Sequence, residues 1–169
     1  GTVNQPTVLG LTMASTNVSC NGGTDGEGIG TPTGGTLPYS YNWSNTGTDS
    51  IAGTLSIGTY ILTVTDGMGC TIVDSVVITE PDALATTFNQ INVSCNGGSD
   101  GSADVIVTGG TLPYGYLWSN TDTDSLISGV TAGAYTVTVT DGQGCTITDG
   151  ITITEPDVLA LTPNFTGVS

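Results

Sequence analysis

Gly58-Thr59-Tyr60-Ile61-Leu62-Thr63-Val64-Thr65-Asp66-Gly67 is the stretch on which the reading of this chain turns. Tyr60, Leu62 and Val64 alternate with Thr63 and Thr65, the period of two that belongs to a strand with one buried face. Asp66-Gly67 then closes it with turn chemistry. The pattern returns 75 residues later as Tyr135, Val137 and Val139, closed by Asp141-Gly142. Nothing in the chain carries the 3.6-residue spacing of a helix.

Working outward, the same 75-residue shift matches landmark after landmark without a gap. Asn17 to Gly23 (NVSCNGG) returns as Asn92 to Gly98, and Thr33 to Tyr39 (TGGTLPY) as Thr108 to Tyr114. Trp43 to Thr46 (WSNT) returns as Trp118 to Thr121, and Thr79 to Asp82 (TEPD) as Thr154 to Asp157. Such a period marks tandem copies of one supersecondary unit. The organisation expected is the end of a preceding repeat at 1–6, repeat 1 at 7–81, repeat 2 at 82–156 and the start of a third at 157–169. Gln5-Pro6 stands where Glu80-Pro81 stands, and Val168-Ser169 stop one residue before the next Cys is due. The chain is therefore expected to be cut from a longer array.

Within one repeat, strands are expected near 8–16, 27–33, 39–44, 49–52, 58–66 and 71–79. Gly34-Gly35 and Gly109-Gly110 punctuate a turn, and Pro38 and Pro113 open the strand that follows. Short strands between regularly spaced turns predict an all-β fold, tandem Ig-like β-sandwich repeats with six or seven strands each. Trp43, Tyr60 and Val64 are its expected core. Pro81 restricts itself and Glu80, which predicts a short, stiff junction at Glu80-Pro81-Asp82.

Composition narrows the function. The 169 residues hold 26 Gly, 15 Asp plus Glu and no Lys, Arg or His, for a net charge of −15. Nucleic acid is excluded as a partner, because phosphate recognition needs basic side chains. Docking on anionic lipid is disfavoured, and no run approaches the ~18 apolar residues of a span, so direct membrane insertion is not expected. With 37% hydrophobic residues the chain is no disordered acidic tail. Trypsin-like proteases have nothing to cut, which suits a chain outside the cell.

Each repeat holds one pair of cysteines, Cys20 with Cys70 and Cys95 with Cys145. An even count at repeated spacing argues for disulfides in an oxidising compartment. A four-thiolate zinc site needs close Cys-x-x-Cys pairs, and there are none. Pairing within each repeat is preferred, because an array built that way needs no special ends. It also assumes that six strands bring the loops of Cys20 and Cys70 to one end. Closing about 50 residues would then add roughly 4 kcal/mol per repeat. The alternative crosses the boundary, Cys70 to Cys95.

Catalysis has little to work with. Without His or Lys, carboxylates, hydroxyls and thiols remain, and a glycosidase-type pair of acids is the conceivable site. Yet Asp25, Asp66, Asp74 and Glu80 each recur in repeat 2 near turns or strand ends, and duplicated turn chemistry is commoner than a duplicated active site. A non-enzymatic chain is expected. Ca²⁺ is the remaining cofactor option: Asp25, Asp66, Asp100 and Asp141 lie on Gly-rich loops of the kind that supply oxygen ligands. No EF-hand or nonapeptide pattern accompanies them, so Asx-turns are the preferred reading.

Val18 to Gly26 (VSCNGGTDG), Thr33 to Asn45 with its TGGTLPY and WSN, Gly58 to Cys70 with YxxTVTDGxGC, and the closing Ile78 to Pro81 (ITEP) resemble the SprB repeat of very large Bacteroidetes surface adhesins. The resemblance covers both repeats nearly end to end. The departure is at residues 27–32 (EGIGTP), less strand-like than residues 102–107 (SADVIV). The resemblance implies export by the type IX route and display as a long extracellular filament, in one member the filament of gliding motility. It also implies O-glycosylation at Asp-Ser/Thr before an apolar residue, matched at Ser50, Ser125 and, inside a strand and ranked below them, Ser75.

Three functions follow: a spacer holding an adhesive tip away from the cell, a module that itself grips extracellular polysaccharide or substratum, and a laterally pairing filament subunit. Stacked domains and uniform negative charge favour the spacer, whose first partners are the neighbouring repeats of the same chain. A binding module should expose aromatic side chains, and Tyr39 and Tyr114, after the Gly-Gly turns, are the candidates.

Overall fold

The computed structural model describes residues 6–161. The expected ends of flanking repeats at 1–5 and 162–169 lie outside them. The chain divides into two compact units. The first carries β1 Gly10–Thr16, β2 Gly26–Thr33, β3 Ser40–Trp43, β4 Ile51–Leu55, β5 Gly58–Thr65 and β6 Thr71–Ile78. The second carries β7 Ala85–Ile91, β8 Gly101–Thr108, β9 Gly115–Trp118, β10 Leu126–Val130, β11 Gly133–Thr140 and β12 Thr146–Ile153. There is no helix among the described residues.

In unit 1, β1-β2-β4 form one antiparallel sheet and β3-β5-β6 the other; in unit 2 the sheets are β7-β8-β10 and β9-β11-β12. First, second and fourth strands facing third, fifth and sixth is the arrangement of an Ig-like sandwich reduced to six strands. A second Ig hallmark is the tyrosine corner. Tyr60, near the start of the fifth strand, donates its hydroxyl to the Ser56 carbonyl at 3.2 Å, and Tyr135 donates to Thr131 at 3.0 Å. That hydrogen bond holds Tyr60 half-buried at the rim of the core rather than inside it, where it was expected. Two residues on, where antibody domains carry a bridging cysteine, stand Leu62 and Val137, both fully buried.

Trp43 and Trp118 centre the two cores, each 2% exposed. A buried indole N–H needs an acceptor. Each finds one six residues on, Trp43 Nε1 donating to the Asp49 carbonyl and Trp118 Nε1 to that of Asp124, both at 2.9 Å. The Trp-Ser-Asn-Thr string thus folds back under its own ring. Val64, Val76 and Ile78 pack around Trp43, while Val139 and Ile153 join Trp118 with Phe88 edge-on at 6.1 Å.

The glycine-rich segment 27–32 is a full strand, paired with β1 from Gly10↔Thr33 to Thr16↔Glu27. Its glycines face inward beneath large neighbours. A Cβ on Gly28 would stand 3.1 Å from both Trp43 and Val76. Repeat 2 fills the same face with Ala103 and Val105. Packing across the sandwich, not local propensity, makes this strand.

Candidate functional site at the loop ends of each repeat

All the recurring motifs collect at the two ends of each sandwich. The entry end of unit 1 holds residues 6–9, the β2–β3 loop and the β5–β6 loop. Asp66, 6% exposed, ties them together. One carboxylate oxygen accepts Thr36 N–H at 2.9 Å, and the other accepts Met68 N–H at 3.0 Å and Cys70 N–H at 2.8 Å. These bonds, the one from Cys70 foremost, hold its pKa below the usual carboxylate value against the opposing effect of burial. Gly67 N donates to Thr36 O at 2.6 Å, and Gly35 N to Thr7 O at 2.8 Å. In unit 2 Asp141 accepts Gln143 N–H at 2.9 Å and Cys145 N–H at 2.8 Å.

The exit end is built from the β1–β2 loop and the residues after β6. Asn17 Oδ1 accepts Thr79 N–H at 2.9 Å, and Asn21 Nδ2 donates to the Pro81 carbonyl at 3.1 Å. Gly22 N donates to Glu80 Oε2 at 2.7 Å. Asp25 Oδ1 accepts Ser19 N–H at 3.0 Å, as Asp100 accepts Ser94 N–H at 3.0 Å. Both acids are lowered by their Ser partners. The strings NVSCNGG and TEP therefore recur together because each completes the other.

These acids are spent on backbone N–H groups, and they do not converge. Asp25 and Asp66 stand at opposite ends of one sandwich, as do Asp100 and Asp141. No group of three or more His, Cys, Asp or Glu among the described residues is placed to hold a metal ion. No helix among them is long and apolar enough to cross a membrane. The aromatic candidates are inward-facing. Tyr39 and Tyr114 are half-buried against their cores, and the Tyr39 hydroxyl donates to the Gly34 carbonyl. A tyrosine needs an acceptor for its hydroxyl, and the Gly-Gly turn supplies one.

The serines also fall differently from expectation. Ser50 and Ser125 are half-buried just before β4 and β10, and their carbonyls accept Gly30 N–H at 2.9 Å and Val105 N–H at 3.0 Å. Ser75 is exposed on β6, an outer strand of its sheet.

The cysteine pairing within each repeat is corrected. Cys70 and Cys95 are exposed free thiols, while Cys20 and Cys145 are disulfide-bonded. Cys70 immediately precedes β6, whereas Cys20 sits in the loop fastened to Glu80 and Pro81 beyond its far end. Eight strand residues separate those ends, roughly 25 Å at ~3.3 Å per residue, against the ~4.4–6.8 Å that a disulfide spans. Cys95 and Cys145 are separated in the same way by β12, since Asn96 and Gly97 bond Pro156 and Glu155. The two loops occupy opposite ends because β3 and β4 run in the same direction: the chain changes sheets between them without reversing.

The SprB repeat family model matches the chain twice, at residues 12–48 and 87–123. No curated protein matches it. Among solved structures, one described as the structural basis for Dscam isoform specificity is 14% identical, covering 85% of this chain and 41% of that one, with a TM-score of 0.36. The N-terminal eight Ig domains of Down Syndrome Cell Adhesion Molecule are 11% identical, covering 89% of this chain and 25% of theirs, with a TM-score of 0.43. Domains 4–9 of the surface layer protein SbsC are 15% identical, covering 94% of this chain and 32% of theirs, with a TM-score of 0.37.

Proposed function

Because the chain carries two SprB repeats, we propose that it is a non-enzymatic, structural stretch of a secreted cell-surface adhesin, in which each Ig-like sandwich is a spacer module. The observation that carries this reading is the use made of the repeated polar residues. Asp25, Asp66, Asn17, Asn21 and Glu80 are engaged in closing loops, and the counterpart bonds recur in repeat 2. What recurs in the sequence is therefore what each module needs in order to fold. A net charge of −15 with no basic residue keeps neighbouring filaments apart by self-repulsion. Display outside the cell, and the decoration of exposed Asp-Ser sites with glycan, belong to the same proposal.

The test varies repeat number in the parent adhesin on living cells. A spacer predicts that removing repeats shortens the surface filament in electron micrographs while the adhesive target stays the same. Purified two-repeat protein should leave glycan arrays and polysaccharide-coated surfaces unoccupied. Saturable binding by the isolated protein would favour the alternative in which each repeat is itself the gripping module.

A further inference from the structure

We propose that Asn21-Gly22 and Asn96-Gly97 are self-modification sites, where asparagine cyclises onto its own backbone and becomes isoaspartate once the clamp formed by Glu80 or Glu155 is released. The inference stands whether the repeats act as spacers or as binding modules.

The chemistry lies in the residue pair. The backbone nitrogen that follows an asparagine can attack the side-chain Cγ, and a glycine, lacking Cβ, obstructs that attack least. A new N–Cγ bond closes a five-membered succinimide, the Cγ–Nδ2 bond breaks, and ammonia leaves with the backbone amide proton. Water, the one co-reactant, then adds to either ring carbonyl. One opening gives aspartate. The other gives isoaspartate, whose main chain runs through the former side chain and is one methylene longer. Asn21, Gly22, Asn96 and Gly97 are all exposed, so water reaches them and burial gives no protection.

Protection comes from the loop instead. Cys20 O accepts Gly23 N–H at 2.9 Å, with Gly22 at φ 72° and Asn21 at negative φ, which is a type II turn. Ring closure needs Gly22 N to swing until it eclipses Asn21 Cβ, and the extended backbone of Asn21 in that turn keeps it facing away. Two further bonds hold the reacting groups themselves. Gly22 N–H, whose proton must depart, donates to Glu80 Oε2 at 2.7 Å. Asn21 Nδ2, the leaving group, donates to the Pro81 carbonyl at 3.1 Å. Repeat 2 has the same turn, with Gly98 N–H on Cys95 O at 2.9 Å and Gly97 at φ 75°. Gly97 N–H donates to Glu155 Oε2 at 2.7 Å, and Asn96 Nδ2 to the Pro156 carbonyl at 3.1 Å. Glu80 and Glu155 are thus positioning residues, which can be changed without touching a reacting atom. The extra methylene of isoaspartate displaces Gly22 from Glu80, so a loop once modified does not clamp again.

The experiment incubates the folded two-repeat protein in mildly alkaline buffer and reads isoaspartate at each site by peptide mapping. Cleavage at acidic residues yields the peptides, since the chain has no Lys or Arg for trypsin. Wild type should react slowly at both sites and much faster at both in denaturant. Glu80→Ala should speed Asn21 by roughly tenfold, the factor that losing a bond to a charged acceptor gives, and leave Asn96 in the same molecule unchanged. Glu155→Ala should do the reverse. Glu80→Gln, which keeps an oxygen acceptor, should restore part of the protection at Asn21. Equal rates in folded and denatured wild type would overturn the inference, as would an unaltered Asn21 rate in Glu80→Ala. Hydrogen exchange of the β5 amides separates the clamp from the fold. Acceleration with those amides still protected supports the clamp, whereas acceleration that arrives only with their exchange assigns the protection to the whole sandwich and refutes it.

Discussion

Gly30 lies directly beneath Leu62 across the sandwich: a Cβ on the glycine would stand 2.1 Å from Leu62 Cδ2. Repeat 2 solves the same contact with two middle-sized side chains, Val105 and Val137, 3% and 0% exposed. The exchange is one of volume between facing strands. Gly30→Val alone should overpack the core and cost about 1–3 kcal/mol. Leu62→Val alone should leave a small cavity and cost about 1 kcal/mol. The double variant should recover most of both losses, because it rebuilds the repeat-2 pair. Native-state hydrogen exchange of β5 amides measures all three, and strictly additive losses would refute the pairing.

Thr54 sits at φ 56°, where repeat 2 has Gly129 at φ 69°. Both occupy the irregular fourth strand, whose partner pairing shifts register at Ser128/Val130 in unit 2. A β-branched residue in the left-handed region is strained, and its hydroxyl bond to the Gly53 carbonyl at 2.7 Å offsets only part of that. Thr54→Gly should therefore stabilise unit 1, by about 1 kcal/mol. Thermal unfolding monitors it, and a lowered midpoint counts against strain at this position.

Most of this architecture was legible because alternation is a local signal. Tyr60-x-Leu62-x-Val64 and its repeat place a half-buried strand without any tertiary knowledge, and all six strands fall within two or three residues of their expected bounds. The second strand of repeat 1 was harder to read because its glycines answer to Trp43 and Leu62, which are distant in sequence. The cysteines went astray for a topological reason. Six strands that alternate up and down would put the Cys20 and Cys70 loops at one end. The unreversed passage from β3 to β4 shifts that parity, and no residue in 44–50 announces it. Tyr39 was misplaced because its partner is a backbone carbonyl, which carries no side-chain signature.

Asp66 should make the fold acid-sensitive. Its pKa is lowered in the folded state, so the unfolded chain binds more protons as pH falls. The stabilisation is fully present above the unfolded pKa of ~3.9 and is lost as pH drops through the lower folded value. Asp66→Asn should lower the thermal midpoint at neutral pH, since an amide cannot serve three N–H donors as a carboxylate does. It should also flatten the loss below pH ~4. Melting curves of the two proteins between neutral and acid pH make the comparison, and parallel curves would remove Asp66 from the account.

Exposure reorders the glycan sites. Native protein modified at Asp-Ser should carry sugar on Ser75, exposed on an outer strand, ahead of Ser50 and Ser125, which are half-buried beside their pairing partners. Sugar at Ser75 would also cover the outer face where Val73 and Val77 stand 59% and 57% exposed, and so blunt lateral pairing of sheets. Glycopeptide sequencing of native material settles the order. Occupied Ser50 and Ser125 beside bare Ser75 would show that sequence context outweighs accessibility.

Salt should stabilise this protein, against the common expectation that screening weakens surface electrostatics. In most folds salt screens attractive and repulsive pairs alike. Here the side chains supply 15 acids and no base, so every side-chain charge pair is repulsive. Folding concentrates those charges, and the expanded unfolded chain relieves them. Screening should therefore favour the folded state as the Debye length falls from ~30 Å at 0.01 M to ~8 Å at 0.15 M. The thermal midpoint should climb steeply over that range of sodium chloride and then level off. A plateau is the mark of screening, whereas a steady linear rise into molar salt would point to solvent exclusion from apolar surface instead. A midpoint that falls between 0.01 and 0.15 M would mean that some attractive interaction, such as a bound cation or the chain's amino terminus, outweighs the repulsion of the acids.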